Sequence, residues 1–257
     1  MCSGGARVET TRDRVRADRL LVEAGHFESR AQAQAAIAAG LVLADGRKVT
    51  RPSDRLEPGI RIVAQAPHPF VSRGGLKLAA ALDAFGLDPA GRVCLDIGAS
   101  TGGFTDALLR RGAAHVYAVD VGRDQLHARL RTDPRVTSLE GTDARALERD
   151  AIPSPPDLVA VDVSFIGLRL VLPTLVPLMA QGGTLAALIK PQFEAGRDRI
   201  GRGGIVREPE VHEAVCAEIR ACLEGLGMTI LGLIPSPVTG GDGNREFLIG
   251  ARRGAAS

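Results

Sequence analysis

The chain has 257 residues, 45% of them hydrophobic, which is enough to bury a core in one large domain or in two unequal ones. With no tryptophan and one tyrosine, the composition excludes an aromatic-rich binding surface. The formal net charge is only +2, and although Arg12 to Arg61 hold ten Arg and Lys against seven Asp and Glu, this excess fits a solvated surface as well as a nucleic-acid partner.

The four cysteines form no CxxC pair and have no histidine cluster beside them, so we expect reduced thiols, no metal site and a cytoplasmic protein. The polar first residues, MCSGGARVETTRDR, lack the apolar core of a secretory signal. The longest apolar stretch, Leu168 to Ala180, is interrupted by Arg169, Pro173 and Pro177. It is too short to cross a bilayer, so we expect no membrane partner. A monomer is the default expectation.

The first folding unit is predicted over residues 14–63. Apolar residues at helical spacing run through RADRLLVEAG to Gly25, and Ser29 can cap a second helix, SRAQAQAAIAAG, which Gly40 closes. LVLADGRKV is typical of a hairpin that turns at Asp45-Gly46, and RPSDRLEPGIRIV adds a turn and a short strand. The predicted order is therefore two helices, a hairpin and a strand.

This unit resembles the RNA-binding domain first seen in small-subunit ribosomal protein S-four, also called the alpha-L motif. The matching residues are Arg19-Leu20, Gly25, Ser29-Arg30, Ala33, Ile37, Gly40, Asp45-Gly46, Pro52-Ser53 and Gly59. Ala36 and Ala44 stand where that family usually has larger apolar residues, which predicts a looser core. The resemblance implies that a basic face binds structured RNA. The candidate RNA-binding residues are Arg16, Arg19, Ser29, Arg30, Gln32, Lys48 and, after the linker, Arg73. Any single arginine among them is as readily explained as a solvated surface residue.

Residues 64–72 contain two prolines and no periodicity, and they are predicted to be a linker to a second domain over residues 73–257. Strands are expected at Val93–Ile97, His115–Val119, Val136–Leu139, Leu158–Asp162, Thr184–Ile189, Thr229–Pro235 and Glu246–Ala251. Helices are expected at Gly75–Phe85, Gly103–Arg111, Asp124–Arg131, Ile166–Met179 and Pro209–Gly227. This alternation predicts an α/β domain with a mostly parallel, doubly wound, Rossmann-type sheet and an antiparallel edge strand.

The strongest local pattern is CLDIGASTGGFTDALL, in which an apolar strand runs into Asp96 and then into a glycine-rich turn before a helix. Glycines let the backbone turn sharply and approach a ligand, and the start of a helix leaves amide donors free. The spacing D-x-G-x-x-x-G-G-F differs from the dinucleotide pattern G-x-G-x-x-G. It resembles the first motif of methyltransferases that use S-adenosylmethionine (SAM).

Acidic residues at the ends of the following strands complete the predicted cofactor site. Asp120 is placed to accept from both ribose hydroxyls, Asp143 to accept from the adenine amine, and Asp162 ends the fourth strand. Each acid alone is better explained as the N-cap of a following helix, but their combination favours SAM. The predicted cofactor-binding residues are Asp96, Gly98, Ala99, Ser100, Gly102, Gly103, Phe104, Asp120, Val121, Asp143, Ala144 and Asp162.

Ionisable residues also end the inner strands or stand beside them. Asp162 ends VAVD, Lys190 ends TLAALIK, Glu246 begins EFLIGA, and Lys77 lies in the helix before the first strand. A lysine at the end of an apolar strand is costly to desolvate unless it has a function, although it could snorkel to the surface. The order and context of these residues resemble the catalytic K-D-K-E tetrad of FtsJ-type ribose 2′-O-methyltransferases.

Over about Val15 to Leu248 the chain is similar to the TlyA family of bacterial rRNA 2′-O-methyltransferases, often called haemolysin A, with strings such as VSRGGLKL, KPQFE and GNREF. The resemblance implies methylation of cytidine ribose, with ribosomal RNA or ribosomal subunits as the partner. Lys190 would take the hydroxyl proton, more readily if other cations stood nearby. Lys77 and Glu246 would position Lys190 and the ribose, and Asp162 would lie between the tetrad and SAM.

The segment AGRDRIGRGGIV, directly after KPQFE, is predicted to be a basic loop that closes on RNA phosphates, or else a plain surface loop. Three other functions also remain open. A dinucleotide-dependent oxidoreductase would share the fold, but the chain lacks its glycine pattern. An RNA-binding protein without methyl transfer would keep a SAM pocket. A pore-forming haemolysin is suggested only by the family's older name, and no strongly amphipathic segment supports it.

Overall fold

The computed structural model describes residues 13–196, 199, 201–240 and 243–254, with only the backbone of Arg202. The chain divides between Pro69 and Phe70 into two compact units. The helices of the first unit are α1, Ala17–Glu23, and α2, Arg30–Ala38. Its strands β1 to β5 are Val15–Arg16, Val42–Ala44, Arg47–Lys48, Arg55–Leu56 and Ile62–Ala64. Strand β2 pairs antiparallel with β3 and β5, and β1 pairs antiparallel with β4.

Local sequence sets the ends of the elements in the first unit. Gly25 and Gly40 follow the two helices with φ values of 74° and 72°, which glycine adopts without strain. Ser29 Oγ accepts a hydrogen bond from the backbone N–H three residues later, at 3.3 Å, and so caps α2 as predicted. Asp45 and Gly46 both have positive φ, as the predicted hairpin turn requires. The pairing of β1 with β4 was not predicted.

The second unit is built on a seven-stranded sheet. Its strands β6 to β12 are Val93–Ile97, His115–Asp120, Val136–Glu140, Leu158–Val161, Thr184–Ile189, Met228–Pro235 and Phe247–Arg253. Its helices α3 to α8 are Gly74–Phe85, Gly103–Arg110, Ala128–Arg131, Leu172–Leu178, Pro191–Glu194 and Pro209–Gly225. The strand order is β11-β12-β10-β9-β6-β7-β8, and every pair is parallel except the two that β12 makes. The predicted doubly wound sheet is confirmed, although its antiparallel strand lies one place in from the edge.

Two apolar clusters cover this sheet, one on each face, because successive strand residues point to opposite faces. On one face, Leu78 and Leu82 of α3 pack with Leu108 of α4. On the other face, Leu175 of α6 packs with Ile219 of α8. All residues of β10 are buried, as expected for a central strand of a parallel sheet. Because β6 to β10 are parallel, the residues that follow them meet at one edge of the sheet.

The predicted helix over Asp124–Arg131 is shorter than expected. Only Ala128–Arg131 is helical. The carboxylate of Glu140 accepts hydrogen bonds from the backbone N–H groups of the three residues from Asp124 to Leu126, at 2.8 to 3.1 Å. These long-range bonds hold the segment outside the helix, and a helical spacing of apolar residues could not reveal them.

The predicted helix over Ile166–Met179 is broken in two. A short 3-10 turn at Leu168–Leu170 precedes α6. Pro173 has no N–H to donate and is therefore accommodated in the first turn of α6. Across the parts of the chain that the structure describes, we find no helix with the length and apolar character needed to cross a bilayer.

Candidate active site

The glycine-rich turn after β6 packs directly against the end of β9. Gly98 has a φ of 82°, and a Cβ built on it would lie 2.3 Å from the backbone oxygen of Asp162. Gly102 has a φ of 94°, and a Cβ there would lie 2.2 Å from Leu130 Cδ1. The left-handed backbone favours glycine at both positions, and at Gly98 the close approach of a main-chain atom is a second reason for it.

Asp96 lies below this turn, away from any opening. Its side chain is fully buried, and Thr105 Oγ1 donates to its Oδ2 at 2.6 Å. Burial raises the pKa of Asp96 to about 7. Because Asp96 links the end of β6 to α4, it supports the turn from inside the protein and does not face a ligand cavity.

We predict that Asp96→Asn stabilises the protein, and more at pH 8 than at pH 5. In the unfolded chain the Asp96 carboxyl has a pKa of about 4. In the folded state its pKa is about 7, so the carboxyl keeps its proton to a higher pH. The stability that this proton supplies is complete below the unfolded pKa and is lost as the pH rises through the folded one. Asparagine needs no proton and still accepts from Thr105. The melting temperature of Asp96→Asn should exceed that of the wild type at pH 8 by a few degrees more than it does at pH 5. An equal difference at both pH values would contradict this prediction.

Two other predicted acids lie at the same edge of the sheet. Asp120 ends β7, and its carboxylate accepts from the backbone N–H groups of Ser100 and Gly122, at 2.8 and 2.7 Å. Asp143 follows β8, and its side chain caps a short 3-10 turn. The alternative explanation of this acid as an N-cap therefore accounts for part of its role. The hydrogen bond from Arg145 lowers the pKa of Asp143 to about 2. Both carboxylates are therefore fixed in place, and Asp143 is charged at neutral pH.

Two neighbouring cavities open at the carboxyl edge of the sheet. The larger, about 450 Å³, is lined by the ends of β6 to β9 and includes Asp120, Asp143 and Asp162. The smaller, about 230 Å³, lies between the glycine-rich turn and the start of α3. Gly98, Ser100 and Asp162 line both. The predicted cofactor residues that line at least one cavity are Gly98, Ala99, Ser100, Gly103, Phe104, Asp120, Val121, Asp143, Ala144 and Asp162. Asp96 and Gly102 line neither.

The four predicted tetrad residues come together as two lysine–carboxylate pairs. Lys77 Nζ lies 2.5 Å from Glu246 Oε2. Lys190 Nζ lies 2.6 Å from Asp162 Oδ1 and donates a hydrogen bond to Ser164 Oγ at 2.7 Å. Nearby cations would make Lys190 a readier proton acceptor, whereas the structure places a carboxylate and a hydroxyl in contact with its Nζ. Lys77 and Asp162 both line the smaller cavity, so one member of each pair faces the same space.

Asn244 fixes the segment that carries Glu246. Its side-chain amide accepts from Val206 N at 3.0 Å and donates to Gly204 O at 3.0 Å. A Cβ on Gly240 would lie 2.7 Å from Glu246 Oε1, so the absence of a side chain there leaves room for the carboxylate beside the backbone. The predicted basic loop includes Arg197, Asp198 and Ile200, which lie outside the described residues.

The segment after Asp162 contains functional candidates that we did not predict. Ser164 is the hydroxyl partner of Lys190, and Phe165 lines the larger cavity with 91% of its surface exposed. Phe165 also has a φ of 65°, which is unfavourable for a non-glycine residue. Its ring lies 5.2 Å from that of Phe193, measured between centroids. In the sequence, the string VSF directly after a strand-ending aspartate was the feature that could have indicated Ser164 and Phe165.

Glu194 anchors this same segment from below. Its Oε1 accepts from the backbone N–H of Leu168 at 2.5 Å, and its backbone oxygen accepts from Arg169 at 3.0 Å. Burial raises the pKa of Glu194 above its ordinary value. Since Glu194 ends the short helix that begins after Lys190, it ties the two sides of the site together. It was not among the predicted site residues.

The predicted RNA-binding residues of the first unit are mostly exposed. Arg16, Arg19, Ser29, Arg30 and Lys48 reach solvent. Arg19 pairs with a glutamate one helical turn later, at 2.6 Å. Gln32, half-buried, accepts through its side-chain oxygen from the backbone of Glu28 at 3.1 Å. Arg73 belongs to the second unit, where it is exposed and lines the smaller cavity. Within the described ranges, no three His, Cys, Asp or Glu side chains are grouped so that they could hold a metal ion.

Comparisons with known proteins agree with this architecture. A model of the FtsJ-like methyltransferase family matches residues 70–253, and a model of the S4 domain matches residues 15–62. The 16S/23S rRNA (cytidine-2′-O)-methyltransferase TlyA of Mycobacterium tuberculosis is 44% identical over 241 residues, which are 93% of this chain and 90% of the relative. Hemolysin A of Brachyspira hyodysenteriae is 37% identical, over 91% of this chain and 98% of its own length.

Solved structures give the same result. A candidate hemolysin from Streptococcus thermophilus matches with a TM-score of 0.74 at 43% identity, over 95% of this chain and 90% of its own. A candidate RNA methyltransferase from Pyrococcus horikoshii matches with a TM-score of 0.52 at 17% identity, which shows a shared fold. The chain belongs to the FtsJ-like methyltransferase family and carries an S4 domain before its methyltransferase unit.

Proposed function

We propose that the protein transfers a methyl group from SAM to the 2′-hydroxyl of a cytidine ribose in ribosomal RNA. Its TlyA relatives are 16S/23S rRNA (cytidine-2′-O)-methyltransferases, and its S4 domain supports an RNA partner. The observation that carries the proposal is the 2.6 Å ion pair between Lys190 and Asp162. Asp162 lines both cavities, so the amine of Lys190 contacts the residue that lies where a cofactor in one cavity and a ribose in the other would meet.

The larger cavity fits SAM in size and in chemistry. Its volume of about 450 Å³ lies within the usual range of small-molecule sites. Asp120 and Asp143 present carboxylate acceptors to hydroxyl and amine groups, and Val121 and Ile166 give apolar surface for a purine. The glycine at position 98 keeps the backbone close to the ligand. When bound, SAM supplies a methyl group on a positively charged sulfur.

Lys190 is the proposed general base. In its uncharged form, its amine would take the proton of the ribose hydroxyl as the oxygen bonded to the methyl carbon and the carbon–sulfur bond broke, which would leave a neutral thioether. Asp162 is placed to pair with the ammonium that forms, and Ser164 keeps the lysine side chain in position. Holding the oxygen in line with the methyl carbon supplies a further part of the rate.

Lys77 is the proposed group that orients the ribose. It lines the smaller cavity, where its ammonium can donate to sugar or phosphate oxygens. Its side chain is largely buried, and an unpaired buried charge is costly. Glu246 removes that cost and fixes the direction of the ammonium.

We predict that Phe165→Ala weakens RNA methylation without weakening the fold. Phe165 is 91% exposed beside the cofactor cavity, which suits it to stack on the target base. Loss of one base–aromatic stack is worth about 1–3 kcal/mol, so kcat/KM for RNA should fall by roughly fivefold to a hundredfold. Leu170→Ala is the matched control, since Leu170 is also exposed, at 62%, but does not line the cavity. Equal kcat/KM for both variants would exclude a stacking role.

The direct test is methylation of 16S and 23S rRNA, as transcripts and within subunits, with radiolabelled SAM and mapping of 2′-O-methyl groups. We expect label on the ribose of a cytidine. SAM binding without transfer to any of these substrates would favour an RNA-binding protein with a vestigial pocket. Binding of NAD in place of SAM would favour an oxidoreductase, and lysis of red cells by purified, monodisperse protein would favour a haemolysin.

A further inference from the structure

A buried carboxylate in the first unit, Asp18, holds two arginines from different elements. Asp18 is 0% exposed. Its Oδ1 accepts from Arg16 Nε at 3.1 Å, and its Oδ2 accepts from Arg30 Nη2 at 2.7 Å. Gln34 Nε2 also donates to Oδ2, at 2.8 Å. The hydrogen bond from Arg16 is the main reason that the pKa of Asp18 lies well below its ordinary value, so the carboxylate stays charged at neutral pH.

The two guanidinium groups reach solvent although their common partner is buried. Arg16 precedes α1 and Arg30 begins α2, and their side chains are 45% and 56% exposed. Both contact Asp18 through the Nε and Nη2 edge. Because a guanidinium is planar and rigid, its Nη1 side then points away from Asp18. The three charges together leave a net charge of +1 at this place.

We propose that Asp18 is a positioning residue that holds Arg16 and Arg30 as one clamp for a backbone phosphate of RNA. The inference rests on the proposed function, because it takes RNA as the partner. A free arginine loses considerable side-chain entropy when it binds a phosphate. Arginines that are already fixed by a buried carboxylate have lost most of that entropy on folding, so they bind at a lower cost. The clamp therefore depends on a residue that cannot itself touch the RNA.

The positioning role of Asp18 and a simple effect of its negative charge predict opposite results for Asp18→Asn. Asp18→Asn removes a negative charge from an RNA-binding unit, so long-range electrostatics predict equal or tighter binding of RNA. The clamp predicts weaker binding, because asparagine cannot hold two guanidinium groups in place. Glu57→Gln is the matched control. Glu57 also accepts from the Nε and Nη2 of an arginine, Arg14, but the pair is 62% exposed on both sides.

The experiment is filter binding of the full chain to 16S and 23S rRNA transcripts over a series of KCl concentrations, with thermal melts to verify folding. We expect Asp18→Asn to raise Kd roughly tenfold and to lower the slope of log K against log salt by about one or more. Glu57→Gln should leave Kd unchanged or slightly lower it. Binding by folded Asp18→Asn that equals or exceeds the wild type would overturn the clamp.

Three further variants test the clamp even if Asp18→Asn fails to fold. Arg30→Lys keeps the charge on an exposed side chain but cannot grip Asp18 through two nitrogens. We expect it to lose nearly as much affinity as Arg30→Ala, while Arg14→Lys binds normally. Wild-type affinity of Arg30→Lys would also overturn the clamp. A methylation assay on the same preparations separates the clamp from the proposed function. Normal RNA binding without methyl transfer would count against the proposed function alone.

Discussion

Lys190→Ala is expected to lower the rate of methyl transfer by about a hundredfold to ten-thousandfold, the usual contribution of a general base. SAM should still bind with nearly unchanged affinity, because Lys190 does not line the larger cavity. The two effects are measured separately, by single-turnover transfer to RNA and by equilibrium binding of radiolabelled SAM. A variant that loses both would point to collapse of the site, and a variant that retains transfer would remove Lys190 from the mechanism.

Lys190→Arg separates proton transfer from charge. Arginine preserves the ion pair with Asp162, but it stays protonated in proteins and cannot take a proton from the ribose. We therefore expect this variant to be nearly as slow as Lys190→Ala, with a melting temperature closer to the wild type. Substantial activity of Lys190→Arg would mean that the positive charge beside Asp162 matters and the base lies elsewhere.

Gly98→Ala is expected to weaken SAM binding by more than tenfold and to destabilise the protein. The new Cβ would lie 2.3 Å from the backbone oxygen of Asp162, and a main-chain atom cannot move aside as a flexible side chain can. The φ of 82° adds backbone strain of about 1–2 kcal/mol for any residue with a Cβ. The turn must therefore shift, and with it the floor shared by both cavities.

Gly91→Ala is the matched control for Gly98→Ala. Gly91 also has a positive φ, 69°, but a Cβ there meets nothing within 4 Å. The control therefore carries the backbone strain without the clash. We expect it to lower the melting temperature modestly and to bind SAM normally in equilibrium dialysis. If the two variants bound SAM equally well, the close approach of Gly98 to Asp162 would not matter for the cofactor.

That Lys77, Asp162, Lys190 and Glu246 lie near one another could be predicted from the sequence, but their pairing could not. Apolar runs that end at Asp162 and Lys190 are local patterns, and local patterns predict strands well. Which carboxylate each lysine contacts depends on elements far apart in the chain. Lys77, for example, meets Glu246 across 169 positions. The sequence thus indicated four residues for one site, and only the fold divided them into two ion pairs.

The sequence also could not predict the direction in which individual side chains point. Asp96 is the next-to-last residue of β6 and Asp120 is the last of β7, and Asp96 turns inward to Thr105 whereas Asp120 lines the cavity. Side chains alternate between faces along a strand, so the exact residue at which a strand ends decides the outcome. Asp18 had no predicted role, because a charged residue in a surface helix is ordinarily solvated.

Strand β12 lies between β10 and β11, although it is the last strand of the sheet in chain order. It follows Glu246 directly, so the partner of Lys77 is held beside the strand that comes last in the chain. A polypeptide whose synthesis has not yet reached Glu246 has an incomplete tetrad. The assembly of all four side chains therefore requires nearly the whole second unit, from the helix before its first strand to the strand that follows Glu246.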